Sequence, residues 1–113
     1  DFIFLHCPLF PSTEGIINKD NIAKMKDGVV IINNSRGPLV VEQDLYEALE
    51  NDEIAAAGLD VLCQEPMSET NPLRKIKDSK KLLITPHVAW ASVEARTKLM
   101  GIILGQIKEY FQI

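Results

Sequence analysis

Four short apolar runs, Phe2 to Leu5, Val29 to Asn33, Ala55 to Asp60 and Leu82 to Thr85, are separated by stretches with helical periodicity. This alternation constrains the fold more than any other feature of the chain. Strands alternating with helices are the signature of βαβ units, in which crossover helices link the strands of a parallel sheet. The runs are continuously apolar rather than alternating, as expected for strands covered by helices on both faces. The expected class is α/β, a parallel sheet with flanking helices.

The intervening segments fit this frame. A short helix is expected from Lys19 to Met25, ended by the turn Lys26-Asp27-Gly28. A second covers Glu42 to Asn51, with Leu45, Ala48 and Leu49 on one face and Glu42 and Asp44 in the first turn, where the helix dipole favours anions. Its cap is unusual, since Val41 stands where Asp, Asn or Ser would be natural. A loop containing Pro66, Asn71 and Pro72 follows the third strand, and Lys75 to Lys81 reads as solvated loop. A last helix starts near Ser92 and runs to the end of the chain, with a broad apolar stripe of Val93, Leu99, Met100, Ile103, Ile107, Tyr110 and Phe111.

Composition narrows the function classes. A chain of 113 residues holds one domain and excludes two complete ones. With 46% hydrophobic and 25% charged residues, neither a disordered nor a fibrous chain fits. The net charge of -4 and the lack of a basic block argue against a nucleic-acid partner. No apolar stretch is long enough to span a bilayer, so no membrane partner is expected. Cys7 and Cys63 read as free thiols of a reducing, cytoplasmic compartment. The chain opens with Asp1 directly on an apolar run, which suggests a piece of something longer.

Each strand candidate is followed at once by residues capable of chemistry: His6 and Cys7, then Asn34-Ser35-Arg36-Gly37, then Asp60, then His87. In a parallel α/β sheet the ligand crevice lies outside the carboxyl ends of the strands, so these residues should gather along one edge. Arg36, in a turn shaped by Gly37 and Pro38, could grip a carboxylate with two parallel hydrogen bonds or form a surface ion pair. His87 is a candidate acid or base, or a structural histidine. Glu65 is a solvated loop carboxylate unless the fold brings it to His87, where it would stabilise the imidazolium. Asp60 could bind a ligand amide or cap a following turn. His6-Cys7-Pro8 is open between backbone contacts to a ligand and simple packing. Metal-ligand spacings and a G-x-S-x-G nucleophile elbow are both missing, so neither a metal site nor a Ser triad is expected.

Five segments carry a resemblance: His6-Cys7-Pro8-Leu9, Ile32 to Val40, Ala57-Gly58-Leu59-Asp60-Val61 through Glu65-Pro66, Asn71-Pro72-Leu73, and Thr85 to Ala91. In this order and spacing they resemble the nucleotide-binding domain of the NAD(P)-dependent D-2-hydroxyacid dehydrogenases. The segment Thr85 to Ala91 with Glu94-Ala95-Arg96 and Leu99-Met100 is most similar to the glycerate dehydrogenase (hydroxypyruvate reductase) branch. The resemblance implies a partial Rossmann-like sheet, a fragment of a doubly wound domain, with NAD or NADP as cofactor and a small 2-oxo or 2-hydroxy acid as substrate. It also implies a homodimeric parent.

Residue by residue, the resemblance implies that Arg36 holds the substrate carboxylate, His87 donates the proton in reduction and Glu65 pairs with that histidine. It further implies that Asp60 binds the nicotinamide carboxamide, and that Cys7, Pro8, Ser35, Arg36, His87 and Ala89 line the nicotinamide half of the cofactor. Glu at position 65 disfavours the formate dehydrogenase branch, and Val41 departs from the polar residue usual there. No G-x-G-x-x-G follows a strand, so the chain is expected to be the carboxyl-terminal half of the domain, without its phosphate cradle or substrate domain, and inactive alone. A dinucleotide-sensing regulatory or corepressor-like protein and a structural half-domain prone to edge pairing are the alternatives.

Overall fold

The computed structural model describes residues 1–113. The apolar runs form strands β1 (Phe2–Leu5), β2 (Val29–Asn33), β3 (Ile54–Leu59) and β4 (Leu82–Ile84). All pair in parallel in the order β1-β2-β3-β4. The first two have the expected bounds. β3 begins and ends one residue earlier than expected, and β4 ends one residue earlier, so Asp60 and Thr85 stand just past their strands. Their amides still extend the ladder, Asp60 N–H donating to Asn33 O and Thr85 N–H to Leu59 O, each at 2.9 Å.

Helix α1 (Lys19–Ile22) is shorter than the periodicity suggested. Asn18 caps it by accepting from Asn21 N–H, and residues up to Met25 continue only as tighter turns, Lys24 bonding back to Asn21 and Met25 to Ile22. Gly28 closes the connection at φ 75°, a conformation glycine adopts without strain. Helix α2 (Glu42–Glu50) has no side-chain cap at Val41, as the sequence anticipates. At its other end the expectation of a wholly solvated lysine loop is corrected. Lys81 Nζ donates to Leu49 O and to Asp52 Oδ1, both at 2.6 Å, serving one of the carbonyls that a helix terminus leaves without a partner. The hydrogen bond to Asp52 raises the Lys81 pKa above the usual lysine range.

Strand register decides where the core lies. Ile3 pairs with Ile31 and Leu5 with Asn33, while Ile31 and Asn33 pair with Ala57 and Leu59, so these residues share one face. That face packs on α2 and on the turn at Gly37–Leu39, burying Ile31, Leu39, Leu45, Leu49 and Ile54 completely. The opposite face carries Phe2, Phe4, Val30, Ile32, Gly58 and Leu83, and within these residues it has no cover: Phe2 and Leu83 are each 67% exposed. The expectation of strands covered on both faces is therefore met on one face only. Helix α3 (Val93–Phe111), capped by Ser92 through Ala95 N–H, buries none of its residues. Its apolar stripe is exposed, and the radius of gyration is 17.2 Å, against about 13 Å for a compact chain of this length.

Candidate active site

The chemistry-bearing segments meet beyond the carboxyl ends of the strands, as the alternation implies. Asn33, the last residue of β2, is buried to 1% exposure and organises the turn that follows. Its Nδ2–H donates to Arg36 O at 2.8 Å and its Oδ1 accepts Ser35 N–H at 3.1 Å. Ser35 Oγ–H then donates to Cys7 O at 2.6 Å, tying the ends of β1 and β2 together. Arg36 is exposed and makes no ion pair. Its Nη1 donates to Ser35 O at 2.7 Å, which folds the guanidinium along its own turn with donors to spare.

Gly37 sets how closely the next loop approaches. A Cβ at this position would lie 1.9 Å from Leu62 O and 2.5 Å from Cys63 N, so the two backbones touch where only glycine fits. Leu62 N–H in turn donates to Glu65 Oε1 at 2.9 Å, and Glu65 Oε2 meets His87 Nδ1 at 2.8 Å. The hydrogen bond from Leu62, followed by that to His87, holds the Glu65 carboxyl below the ordinary glutamate range. With Nδ1 engaged, His87 Nε2 is the ring atom left to exchange a proton with a ligand. His87 sits at φ 55°, in the left-handed region. That turn is latched by His87 N–H donating to Thr85 O at 3.0 Å and by the Trp90 indole N–H donating to His87 O at 2.9 Å.

Asp60 is 8% exposed and caps the segment that follows β4, one of the two roles the sequence leaves open. Oδ1 accepts Thr85 Oγ1–H at 2.5 Å and Val88 N–H at 2.9 Å, and Oδ2 accepts Ala89 N–H at 2.8 Å. The carboxylate thus shapes the segment that displays His87, and the amide of Ala89 is spent on it. Burial pushes its pKa up, but the hydrogen bonds from Thr85, Ala89 and Val88 and the nearby His87 outweigh burial, and the net shift is downward. A depressed carboxylate pKa stabilises the fold at every pH above the ordinary aspartate value of about 4, and that stabilisation is lost as pH falls through the lowered value. Asp60→Asn is expected to cost about 1–3 kcal/mol near neutral pH, because an amide group replaces one acceptor oxygen and faces donors. Urea denaturation at pH 7 and pH 3 checks this: the difference between variant and wild type should shrink at the lower pH.

Two cavities flank these residues. One, of about 450 Å³, is lined by Asp60, Leu62, Glu65, Met67, Thr85 and His87 among others. The other, of about 380 Å³, opens on the bare face between Ile32, Asn34, Gly58, Asp60, Thr85 and Ala89. The missing Cβ of Gly58, which would meet Ile32 Cδ1 at 3.0 Å, leaves room for the Ile32 side chain in its lining.

The structure brings Asp60, Glu65, His87 and Ala89 into one cluster and Cys7, Ser35 and Arg36 into another, joined by the Gly37–Leu62 contact. Pro8 is exposed at the rim. Sequence reasoning missed Asn33, Thr85 and Glu42 as organisers of the site. Asn33 carried a signal, a polar residue closing an apolar strand, whereas Glu42 looked like an ordinary first-turn anion. Cys63 and Cys7 are free thiols. Burial, the charge of Glu42 and its hydrogen bond push the Cys63 thiol up to about 11, which leaves it a poor nucleophile.

A parallel sheet of this topology, with its polar groups gathered at the strands' carboxyl edge, is a Rossmann-like nucleotide-binding unit. Residues 1–89 match the model of the D-isomer specific 2-hydroxyacid dehydrogenase NAD binding domain, and the chain belongs to that family. It is 57% identical over 112 residues to a hydroxypyruvate reductase of Blautia hydrogenotrophica, covering 99% of this chain and 34% of that protein. It is 46% identical over 99 residues to the human glyoxylate reductase/hydroxypyruvate reductase, covering 88% of this chain and 29% of that one. The D-lactate dehydrogenase of Aquifex aeolicus, solved with NAD and lactic acid, superposes with a TM-score of 0.87 at 27% identity over 99% of this chain and 37% of its own. The chain thus spans about a third of the length of the curated relatives it matches. No helix is long and apolar enough to cross a membrane.

Proposed function

We propose that residues 1–113 are the carboxyl-terminal half of the nucleotide-binding domain of an NAD(P)-dependent 2-hydroxyacid dehydrogenase that reduces hydroxypyruvate or glyoxylate. The observation that carries this reading is the 2.8 Å contact between Glu65 Oε2 and His87 Nδ1, with the other Glu65 oxygen held by Leu62 N–H. A carboxylate fixed on one ring nitrogen orients the imidazole and leaves Nε2 to protonate a developing alkoxide. Arg36, unpaired and exposed on a rigid turn, binds the substrate carboxylate and polarises its carbonyl oxygen. The nicotinamide, when bound, supplies the hydride. The pocket beside Gly58 and Ile32, with Asp60 and Ala89 in its lining, accepts the ring, while Cys7, Pro8 and Ser35 follow β1 and β2 along the same edge and complete the nicotinamide side on this reading. Asp60 reaches it with whatever acceptor capacity its internal bonds leave, so its larger contribution is to the shape of the His87 turn.

The parent on this reading is a cytoplasmic homodimer. The exposed sheet face and α3 support a larger assembly, since so much apolar surface is costly in water. Steady-state assay of the full-length protein with NADH or NADPH and hydroxypyruvate, glyoxylate or pyruvate tests the activity. No turnover with any of the three would overturn the reading. Arg36→Lys is expected to lower kcat/KM for hydroxypyruvate by about a hundredfold, because an ammonium group cannot reproduce the paired hydrogen bonds of a guanidinium. Near-native kcat/KM in that variant would remove Arg36 from the role.

A further inference from the structure

Glu42 makes two hydrogen bonds that its place in the first turn of α2 does not require. Its Oε1 accepts the backbone N–H of Cys63 at 2.9 Å, and its Oε2 accepts Asn71 Nδ2–H at 2.8 Å. Asn71 is itself buried, and its Oδ1 accepts Leu73 N–H at 2.9 Å, so the amide cannot turn over without losing that bond. One residue before Cys63, Leu62 N–H is held by Glu65, the partner of His87. Two consecutive amides of the loop are thus gripped by two carboxylates, one in the acid–base pair and one on α2. From the opposite side, the Leu62–Cys63 peptide bears on the Cα of Gly37, next to Arg36.

We propose that Glu42 is a positioning residue for the reduction, clamping the Leu62–Cys63 peptide against Gly37 and thereby holding Glu65 and His87 in register with Arg36. This inference rests on the function proposed above. A carboxylate suits the task because it accepts at both oxygens, and the positive end of α2 favours an anion there. A glutamine would turn a donor toward Asn71 Nδ2, and an aspartate is one methylene too short to hold both partners. Displacements of the order of 1 Å at a reacting pair cost about a hundredfold in rate.

The test uses the full-length enzyme with NADH and hydroxypyruvate, and reads the Nδ1–H proton resonance of His87 alongside the kinetics. Glu42→Gln is expected to lower kcat about tenfold to a hundredfold, with the KM for NADH within about threefold of wild type. It is also expected to shift or abolish the Nδ1–H resonance. Because Glu42 acts through Glu65, adding Glu42→Gln to Glu65→Gln should cost less than about threefold more. Unchanged kcat, or losses that multiply in the double variant, would overturn the proposal. Should Glu42→Gln fail to fold, Glu42→Asp carries the same expectations with the charge retained. Should the wild type reduce no 2-oxo acid, the proposed function fails separately, and an Nδ1–H resonance unchanged in the Glu42 variants would overturn the positioning role on its own.

Discussion

Gly37→Ala is expected to abolish the native packing of the site, with a loss of about 3 kcal/mol or more and no measurable turnover in the full-length protein. The size of the effect follows from what the new methyl group would strike. Its Cβ would lie 1.9 Å from Leu62 O and 2.0 Å from Leu62 C. These are backbone atoms, so no side chain can swing aside to relieve the overlap. The loop itself is fixed at Leu62 by Glu65 and at Cys63 by Glu42. Separation of the two segments by even an ångström would pull Arg36 away from His87. Thermal denaturation of Gly37→Ala beside wild type measures this, and a midpoint within about 2 °C of wild type would show that the contact is much looser than the structure has it.

His87→Asn is expected to lower kcat for hydroxypyruvate reduction by about 10²–10⁴-fold, the usual worth of a positioned general acid. Asparagine is chosen for a reason of backbone geometry. Position 87 has φ 55°, and Asn tolerates the left-handed region better than most residues. The turn latched by Asp60 and Trp90 should therefore survive, and NADH affinity should stay within a few-fold of wild type. Turnover within about threefold of wild type would mean that the proton comes from elsewhere.

Much of this site is legible in the linear chain because parallel α/β topology obeys a positional rule. Once four apolar runs are seen alternating with helices, the residues after them must lie at one edge, and His87, Asp60 and the Arg36 turn do so. The pairing of Glu65 with His87 is a different matter. The two are 22 residues apart, and nothing local in either segment requires the contact. The sequence leaves the role of Asp60 open for a related reason: a carboxylate at a strand end must find donors, but whether they come from a ligand or from Thr85, Val88 and Ala89 depends on how the next loop folds. In the linear chain Glu42 is a dipole partner alone, because its bonds reach residues 21 and 29 positions away.

The sequence by itself determined the class of fold, the strands to within a residue and the edge at which chemistry collects, because hydrophobic periodicity and the carboxyl-end rule are properties of short windows. Tertiary structure alone decided which sheet face is buried, that the apolar stripe of α3 finds no partner within these residues, and that Asp60 and Glu42 hold loops. Those outcomes depend on register, close backbone approach at Gly37 and hydrogen bonds between residues far apart in the chain, and no local pattern encodes them.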